Sequence, residues 1–387
     1  MMDSAPMGRQ LFVNVLEEER VLDEEESASE SGLTTNEDGQ PAFQWPEASA
    51  GTAELGVVLV CYNGWSDTIE CLESLLRSDL PIRVAVVDNA STDGSAEKIR
   101  AWAEGALPYE APDNALSQLS SPPLPKPVAM DVLSGEEAGF RKPGGTRLVL
   151  IESQANLGFA GGNNLGMRHL FRDPNIAHVW LLNNDTVVEP SAARAVLSTL
   201  KTDPWIGMVG TVLRYYHSPE TLQALNGMDF NILTGNSKGL YGGKPASTPF
   251  DARKVARQTE FVLGASLAVS RRFVETVGLM SEAYFLYFEE IDWARRNGGR
   301  FAMGFARGAT VYHKHGGSIG SSAKVGGRSP AAEYWLLRAK LLFYRRYHPL
   351  LLPVIWLQGC VQTSKRVLRR QPASVRAMTK ALFFRPL

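Results

Sequence analysis

The chain has 387 residues, 44% of them hydrophobic, and its 40 basic and 41 acidic side chains leave a net charge of −1. This length fits one large domain with extensions or two modest domains, and the apolar content is enough for a buried core. The three cysteines, Cys61, Cys71 and Cys360, have neither disulfide nor metal-site spacing, so a disulfide framework is excluded and a reduced cytosol is expected.

The two ends of the chain differ strongly in charge. Residues 1–54 contain acidic runs at 17–19 and 23–26 and are predicted to form a disordered acidic arm. No basic segment followed by an apolar core opens the chain, so no signal peptide is expected. From Tyr334 to Leu387 there is no Asp or Glu, and basic residues alternate with Leu, Trp and Phe.

This basic end, within a predicted helical extension at 329–387, is typical of a segment that docks on an anionic membrane surface. Nucleic acid is disfavoured as a partner because no recognised nucleic-acid motif accompanies the charge. The apolar run at 349–357 is too short to span a bilayer.

Between these ends, residues 55–328 are predicted to form the core domain. The first strand is expected at 57–61, followed by a helix that Asp67 caps with Glu70 in the capping-box position. A strand at Ile82–Val87 and a helix from Ser95 to about Trp102 complete a β-α-β-α pattern, which predicts a parallel sheet.

Residues 105–146 contain seven prolines and are predicted to be an irregular insertion. After it the alternation resumes, with strands expected at 147–151, up to Asn183, at 207–212 and at 261–269, and helices at 163–171, 191–200 and 271–277. Residues 214–257 are expected to be loops with short hairpins, and helices to dominate after Ala331.

Two predicted strands end on a carboxylate. Asp88 follows the strand at 82–87, and Asn184-Asp185-Thr186 follows the apolar strand that ends at Asn183. Ligands of wound α/β sheets bind at the carboxyl ends of strands, and hard divalent cations take oxygen ligands. These acids therefore indicate a nucleotide site with a divalent cation, although a strand often ends on Asn-Asp for structural reasons.

Three further segments have both a chemical and a structural interpretation. The glycine-rich stretch Asn156–Asn164 can bring backbone N–H groups to a diphosphate, or be a tight turn with Asn163 as a helix N-cap. The acids at 289–292 follow an aromatic run that can raise a carboxyl pKa towards that of a general base, or compensate a helix dipole. His313 and His315 can bind a metal or a phosphate, or be structural.

Taken in order, seven motifs resemble family 2 glycosyltransferases, and the most similar branch is the bacterial rhamnosyltransferase-like group. They are Val60–Asn63, Val87–Gly94, Asn156–Asn164, Leu182–Asp185, Gly264–Ser266, Phe285–Asp292 and His313–Ser318. The resemblance implies a GT-A (Rossmann-like) α/β domain, with a mostly parallel sheet flanked by helices and a helical, basic C-terminal extension. It also implies inversion of the anomeric configuration and use of Mg or Mn.

The resemblance also implies roles for individual residues. Glu290 or Glu289 is expected to be the catalytic base; the family usually has Glu-Asp here, which would move the base by a methylene. Asp185 and His313 are the expected metal ligands. The expected donor-binding residues are Tyr62, Asn63, Asp88, Asn156, Gly161, Gly162, Asn163 and Asn184, and those on the acceptor side are Gly264, Ala265, Asp292 and Trp293.

These features predict a metal-dependent hexosyltransferase. It would move rhamnose or a related hexose from a dTDP- or UDP-linked donor to a cell-surface glycan or polyprenyl-linked acceptor. The protein is expected in the cytoplasm, peripheral on the inner face of the plasma membrane. The alternative is a non-catalytic sugar-nucleotide-binding scaffold at the membrane. A nucleotidyltransferase is disfavoured because no glycine-rich phosphate loop with Lys or Arg follows the first strand.

Overall fold

A computed structural model describes residues 54–314 and 328–387. All but the last residue of the predicted acidic arm, and the segment from His315 to Ser318, lie outside the described residues. The strands are β1 Glu54–Cys61, β2 Ile82–Asp88, β3 Met130–Ser134, β4 Leu148–Glu152, β5 Ile176–Asn183, β6 Thr186–Val188, β7 Ile206–Tyr215, β8 Ser218–Leu225, β9 Gly227–Asn231, β10 Asn236–Gly239, β11 Phe261–Val262, β12 Ser266–Ser270 and β13 Ala302–His313. The helices are α1 Trp65–Leu75, α2 Ser95–Glu104, α3 Gly135–Phe140, α4 Gly158–Leu170, α5 Ala192–Lys201, α6 Ala252–Gln258, α7 Arg271–Val277, α8 Glu289–Asn297, α9 Pro330–Tyr347, α10 Leu352–Leu368 and α11 Pro372–Leu382.

Within the described residues, ten strands form one mixed sheet, with β3, β4, β2, β1 and β5 side by side and mutually parallel. Strand β12 runs antiparallel between β5 and β7, and β13 pairs parallel with β7. Since β7 and β13 therefore run in the direction of β5, the carboxyl ends of β2, β1, β5 and β13 lie along one side of the sheet. This side is called the carboxyl edge below.

Helices cover both faces of the parallel half. Alternate residues of β1, such as Val57 and Leu59, pack with α1, α2 and α5 in the main core. The opposite face of β1 lies so close to α4 that a Cβ on Gly166 would meet a Val58 methyl at 2.5 Å. The predicted α/β architecture, with a mostly parallel sheet between helices, is confirmed.

The C-terminal helices have a core of their own. Helix α9 packs against α10 and α11 and against the small β10-β9-β11 sheet, around Phe230, Phe288 and Phe343. The helical nature of this region, predicted from sequence, is confirmed. No helix among the described residues is long and apolar enough to cross a membrane.

Segment 105–146, predicted to be irregular, contains regular structure. Strand β3 pairs in parallel with β4 and forms an outer strand of the large sheet. Helix α3 follows at once because Ser134 and Glu137 form a reciprocal capping box. The strand was not predicted because the segment is rich in proline and because its pairing partner, β4, lies outside the insertion.

Three smaller predictions are also corrected. Helix α1 begins two residues before Asp67, with Gly64 in the N-cap position, so Asp67 is no cap. The strand predicted at 261–269 is broken between β11 and β12. Helix α4 begins at Gly158, which places Asn163 inside the helix. There its side-chain amide donates to the Phe159 backbone carbonyl at 2.9 Å.

Candidate functional site

Asp88 lies at the carboxyl end of β2, beside Cys61 of β1. Its side chain is buried, and Oδ2 accepts a hydrogen bond from the Ser91 amide at 3.2 Å. The other oxygen, Oδ1, is buried without a hydrogen-bond partner among the described residues. Burial raises the pKa of Asp88 above its ordinary value. An acceptor in this state is suited to a ligand that brings its own N–H or O–H donor.

Two asparagines hold the loops around Asp88. Asn63, in a left-handed conformation with φ 53°, accepts a hydrogen bond from the Thr92 amide at 2.7 Å, so the loops after β1 and β2 are joined. The side-chain NH2 group of Asn89 donates to the Asn156 side chain at 3.1 Å and to the Gly158 carbonyl at 3.0 Å. Its side-chain oxygen Oδ1 accepts a hydrogen bond from the Leu157 backbone amide at 2.9 Å. The loop before α4 is thereby fixed to the end of β2.

The glycines expected to approach a diphosphate have a packing role in this structure. Gly161 and Gly162 lie inside α4 and are buried. A Cβ on Gly162 would meet a Val60 methyl at 2.8 Å, and one on Gly161 would meet Leu157 at 2.7 Å. Close packing against β1 accounts for Gly162, and close packing against Leu157 accounts for Gly161; their role at a diphosphate stays a prediction. Asn156, before the helix, lies at the carboxyl edge.

Asp185 and His313 meet at the carboxyl edge. Asp185 lies in the turn between β5 and β6, and His313 is the last residue of β13; Nε2 of His313 is 3.1 Å from Oδ1 of Asp185, and both side chains are buried. Burial alone would raise the pKa of Asp185, but the neighbouring imidazole and Lys314 hold it below its ordinary value. The carboxylate is therefore ionised at neutral pH.

The donor set of this pair fits a hard divalent cation. Nδ1 of His313 is 2.9 Å from Oε1 of Gln223, and when Nδ1 donates to that oxygen, Nε2 carries a lone pair. This lone pair faces Oδ1 of Asp185 and the side-chain amide of Asn183, which lies 3.2 Å from Nε2. A cation between Nε2 and Oδ1 would make their short approach favourable. No group of three or more His, Cys, Asp or Glu side chains among the described residues could hold a metal. Further ligands would have to be diphosphate oxygens or water, which Mg commonly retains.

Asn184, expected to bind the donor, is engaged elsewhere. Its side-chain amide donates to Thr68 Oγ1 at 3.0 Å, which ties the end of β5 to α1.

An ion-pair cluster lies directly after His313. Nζ of Lys314 is 2.5 Å from both Asp67 and Glu70 of α1. Tyr62, by contrast, is half-buried at the end of β1, beside the exposed Asn63.

The two adjacent glutamates of α8 differ in environment. Glu289 is 2% exposed, and its Oε2 is buried without a hydrogen-bond partner among the described residues. Glu290 is half-buried and accepts a hydrogen bond from the Gly264 amide at 3.1 Å. Burial raises the pKa of both carboxyls, and the neighbouring Glu290 raises that of Glu289 further. Glu290 is the more accessible of the two and is hydrogen-bonded in place.

Gly264 and Ala265 connect this helix to the carboxyl edge. A Cβ on Gly264 would meet Oε1 of Glu290 at 2.4 Å, so any other residue here would displace that carboxylate from its present position. The Ala265 carbonyl accepts from the Asn183 amide at 3.0 Å, two residues before Asp185. The segment predicted to face the acceptor therefore joins the candidate base to the strand that carries the candidate metal ligand.

Two consecutive residues before α8 have a strained backbone. Tyr287 and Phe288 have φ values of 69° and 71°, in the left-handed region that side chains other than glycine rarely adopt. Their aromatic rings pack in the C-terminal core, which compensates the strain. This double turn sets the direction in which Glu289 and Glu290 leave the chain.

Asp292 and Trp293, expected on the acceptor side, lie in the interior. Both are fully buried, and Trp293 donates to the Gly278 carbonyl at 2.9 Å. Asp292 accepts from Arg296 at 2.7 Å and from the Tyr347 hydroxyl of α9 at 2.7 Å. One helical turn after Glu289, this face of α8 points inward, so Asp292 fixes α8 to α9; the acceptor-side role of Asp292 and Trp293 stays a prediction.

Three residues that shape the site were given no role by the sequence. Gln223 of β8 lies in no motif, and its contact with His313 joins residues 90 positions apart. Asn89 and Lys314 lie within the motifs Val87–Gly94 and His313–Ser318, but no role was predicted for either. The signal available for Asn89 was its position directly after a strand-ending acid, where a side chain faces the carboxyl edge.

A sheet with buried acids at the carboxyl ends of parallel strands is the arrangement of nucleotide-binding α/β proteins. Two family models match the chain: "Glycosyltransferase like family 2" over residues 135–329 and "Glycosyl transferase family 2" over residues 56–113. The chain belongs to glycosyltransferase family 2. The family predicted from the order of motifs and the expected GT-A type of fold are thereby confirmed.

Individual relatives are more distant. The low-salt glycan biosynthesis hexosyltransferase Agl10 of Haloferax volcanii is 24% identical over 147 residues, which cover 38% of this chain and 45% of that protein. A mannosyltransferase from Pyrobaculum calidifontis, solved with GDP-Man and Mn2+, has 17% identity and a TM-score of 0.46, over 88% of this chain and 77% of that chain. GalNAc-T7, solved with UDP, GalNAc and Mn2+, has 10% identity and a TM-score of 0.48, over 77% of this chain and 48% of that chain. The match to the curated relative thus spans less than half of its length.

Proposed function

We propose that the protein is an inverting glycosyltransferase that moves a hexose, rhamnose or a related sugar, from a dTDP- or UDP-linked donor to a glycan or polyprenyl-linked acceptor. The carrying observation is the pair of acids at the carboxyl edge: Asp88, with its unpartnered Oδ1, and Asp185, 3.1 Å from His313. One acid is suited to the donors of a nucleoside, and the other to a metal diphosphate. Family membership supports the same assignment.

In this proposal the chain's own residues divide the work. Asp88 accepts a hydrogen bond from the base or ribose of the donor, and Asn63, Asn89 and Asn156 keep the surrounding loops in place. Glu290 takes the proton of the acceptor hydroxyl as that oxygen attacks the anomeric carbon from the face opposite the leaving group, which inverts the configuration. Holding both reactants in line lowers the entropic part of the barrier.

Asp185 and His313 would hold Mg or Mn, which supplies charge neutralisation for the leaving diphosphate. Gln223 positions the imidazole through Nδ1, and Lys314, paired with Asp67 and Glu70, fixes the chain directly after His313. These contacts support a site that is formed before the donor arrives.

A membrane-facing surface is part of the proposal. Exposed apolar residues recur along one side of α10 and of the turn before it: Leu350, Val354, Leu357, Val361 and Leu368. Their spacing of three, four and seven residues places them in one stripe of α10 and the turn before it. Exposed Lys365 lies within this stripe, between Val361 and Leu368, and exposed Arg369 follows at its end; an apolar stripe that carries cations is typical of a helix lying on an anionic membrane. We propose peripheral binding at the inner face of the plasma membrane.

The activity is tested by incubating the purified full chain with a panel of nucleotide sugars and Mg or Mn, and measuring release of nucleoside diphosphate. Turnover of a dTDP- or UDP-linked hexose is expected, and it should vanish with a chelator. Binding of a donor without any release, with every acceptor preparation tried, would favour the non-catalytic scaffold.

The membrane surface is tested by liposome flotation. The double variant Leu357→Ser, Val361→Ser should lose binding to anionic vesicles, whereas Phe140→Ser, which changes an equally exposed apolar residue on α3, should not. Point changes are preferable to truncation, because α10 and α11 complete the core around α9. Equal flotation of all three proteins would refute this surface.

A further inference from the structure

A cavity of about 430 Å³ lies among α9, α10, α11 and the β9–β10 hairpin. Its lining shares no residue with the carboxyl edge described above. Five cationic side chains line it, Arg328, Lys340, Lys365, Arg366 and Arg369, against one carboxylate, that of Glu333. A cavity of this size can enclose a small ligand, and its charge favours an anion.

Lys340 is the unusual member of this set. Its side chain is 8% exposed, although a lysine is rarely buried without a charged partner. Nζ donates to the Thr234 carbonyl at 3.2 Å and to Oδ1 of Asn236 at 3.1 Å, and no ion pair with a carboxylate is found for it among the described residues. Burial, together with Arg328, lowers the pKa of Lys340 to about 8. A buried cation with only neutral acceptors is costly unless an anion joins it.

The other cations differ in how far they are already neutralised. Glu333 pairs with Arg366 at 2.5 Å, so that guanidinium is compensated within the protein. Within the described residues no ion pair is found for Lys365 or Arg369, and both are exposed. Lys365 also lies within the apolar stripe of α10 and Arg369 at its end, so the cavity opens at the proposed membrane face.

We propose that this cavity binds a phosphate monoester or diphosphate, with Lys340 at its inner end and Lys365 and Arg369 at its mouth. A terminal phosphate carries more charge and more free oxygens than a phosphodiester, and it can satisfy a buried ammonium together with two cations at the opening. The ligand could be a soluble diphosphate or the head of a membrane lipid, since both present the same group. The proposal goes beyond the transfer reaction and does not depend on it.

The first arm of the test titrates the full chain with inorganic diphosphate by calorimetry, in the presence of a chelator. Saturable binding is expected, about tenfold weaker or worse in Lys340→Met and in the double variant Lys365→Met, Arg369→Met. The double variant changes only exposed side chains, so it keeps the test valid if Lys340→Met fails to fold. Lys380→Met, an exposed lysine of α11 outside the cavity, is the matched control and should bind as the natural chain does.

The second arm compares vesicles of equal negative charge that contain either phosphatidic acid, a monoester, or phosphatidylglycerol, a diester. A preference for the monoester that disappears in Lys340→Met or in the double variant assigns a lipid head to the cavity. Binding in the first arm alone assigns a soluble ligand. The proposal is overturned if neither arm depends on these three cations, or if Asp185→Ala removes diphosphate binding and the cavity variants do not.

Discussion

The carboxyl edge and the C-terminal helices carry side chains of opposite charge. At the edge, Asp88 and Asp185 are buried carboxylates suited to hydrogen-bond donors or a cation. In the helices, Lys340, Lys365 and Arg369 are cations that lack a carboxylate among the described residues. Helix α8, with Glu290, lies between them and is bound to both sides, through Gly264 and through Tyr347. The comparison teaches that the buried acids of the carboxyl edge and the buried and exposed cations of the C-terminal helices are built by separate parts of the chain.

The largest effect at the carboxyl edge is expected for Asp185→Ala, which should leave the C-terminal helices unaffected. We expect the metal-dependent part of donor binding to disappear, because the buried carboxylate is the charged member of the Asp185–His313 pair proposed to hold the cation. Calorimetry with and without Mn measures this. Asp113→Ala, an exposed acid of the insertion, should behave as the natural protein does. Unchanged donor affinity in Asp185→Ala would show the metal assignment to be wrong.

Removing the base should leave the carboxyl edge intact. Glu290→Gln preserves the shape beside Gly264 but cannot accept a proton, so turnover should fall by about 10²–10⁴-fold with donor affinity nearly unchanged. In the natural chain, burial raises the pKa of Glu290, so activity should rise with pH through a value above that of an ordinary glutamate. A larger loss of turnover in Glu289→Gln would move the role to that residue.

The link between α8 and α9 is tested by Tyr347→Phe, which removes the hydroxyl that donates to Asp292. Loss of a hydrogen bond to a buried carboxylate should cost about 1.5–3 kcal/mol of unfolding free energy and lower turnover several-fold, since α8 is held less firmly. Donor affinity should not change. Tyr344→Phe, whose hydroxyl donates to the Ile232 carbonyl, removes a similar bond without touching α8 and should keep its turnover.

The smallest effect is expected on stability. Because burial and Glu290 raise the pKa of Glu289, the folded state favours the protonated form, and the carboxyl costs stability as the pH rises above its unfolded pKa. Glu289→Gln should therefore be more stable than the natural chain at pH 7–8, by on the order of 1 kcal/mol, with the difference vanishing near pH 4. Thermal unfolding at the two pH values measures it, and equal stability at both would argue against a buried, unpartnered carboxyl.

Strands β1, β2, β4 and β5 of the parallel half were predictable because each is an apolar run with a local signal at its end, whereas the partly exposed β3 was not. The direction of β12 was not, since an antiparallel strand between β5 and β7 has the same composition as a parallel one. The carboxyl-edge acids could be found from their position after strands, but the contacts of His313 with Gln223 and of Asp292 with Tyr347 join residues far apart in sequence. The sequence could not show that Gly161 and Gly162 are also required for close packing, because packing and phosphate binding call for the same residue type; their donor-binding role stays a prediction.

The left-handed pair Tyr287 and Phe288 sets a limit on engineering this protein. Each non-glycine residue held there costs of order 1–3 kcal/mol, and the packing of the Tyr287 ring in the C-terminal core offsets that cost. Replacing Tyr287 with glycine would relieve the strain but remove the packing, and it would widen the range of directions in which Glu290 leaves the chain. Glycine at position 287 is therefore expected to gain little stability and to lose turnover, so stability and activity both constrain this one turn.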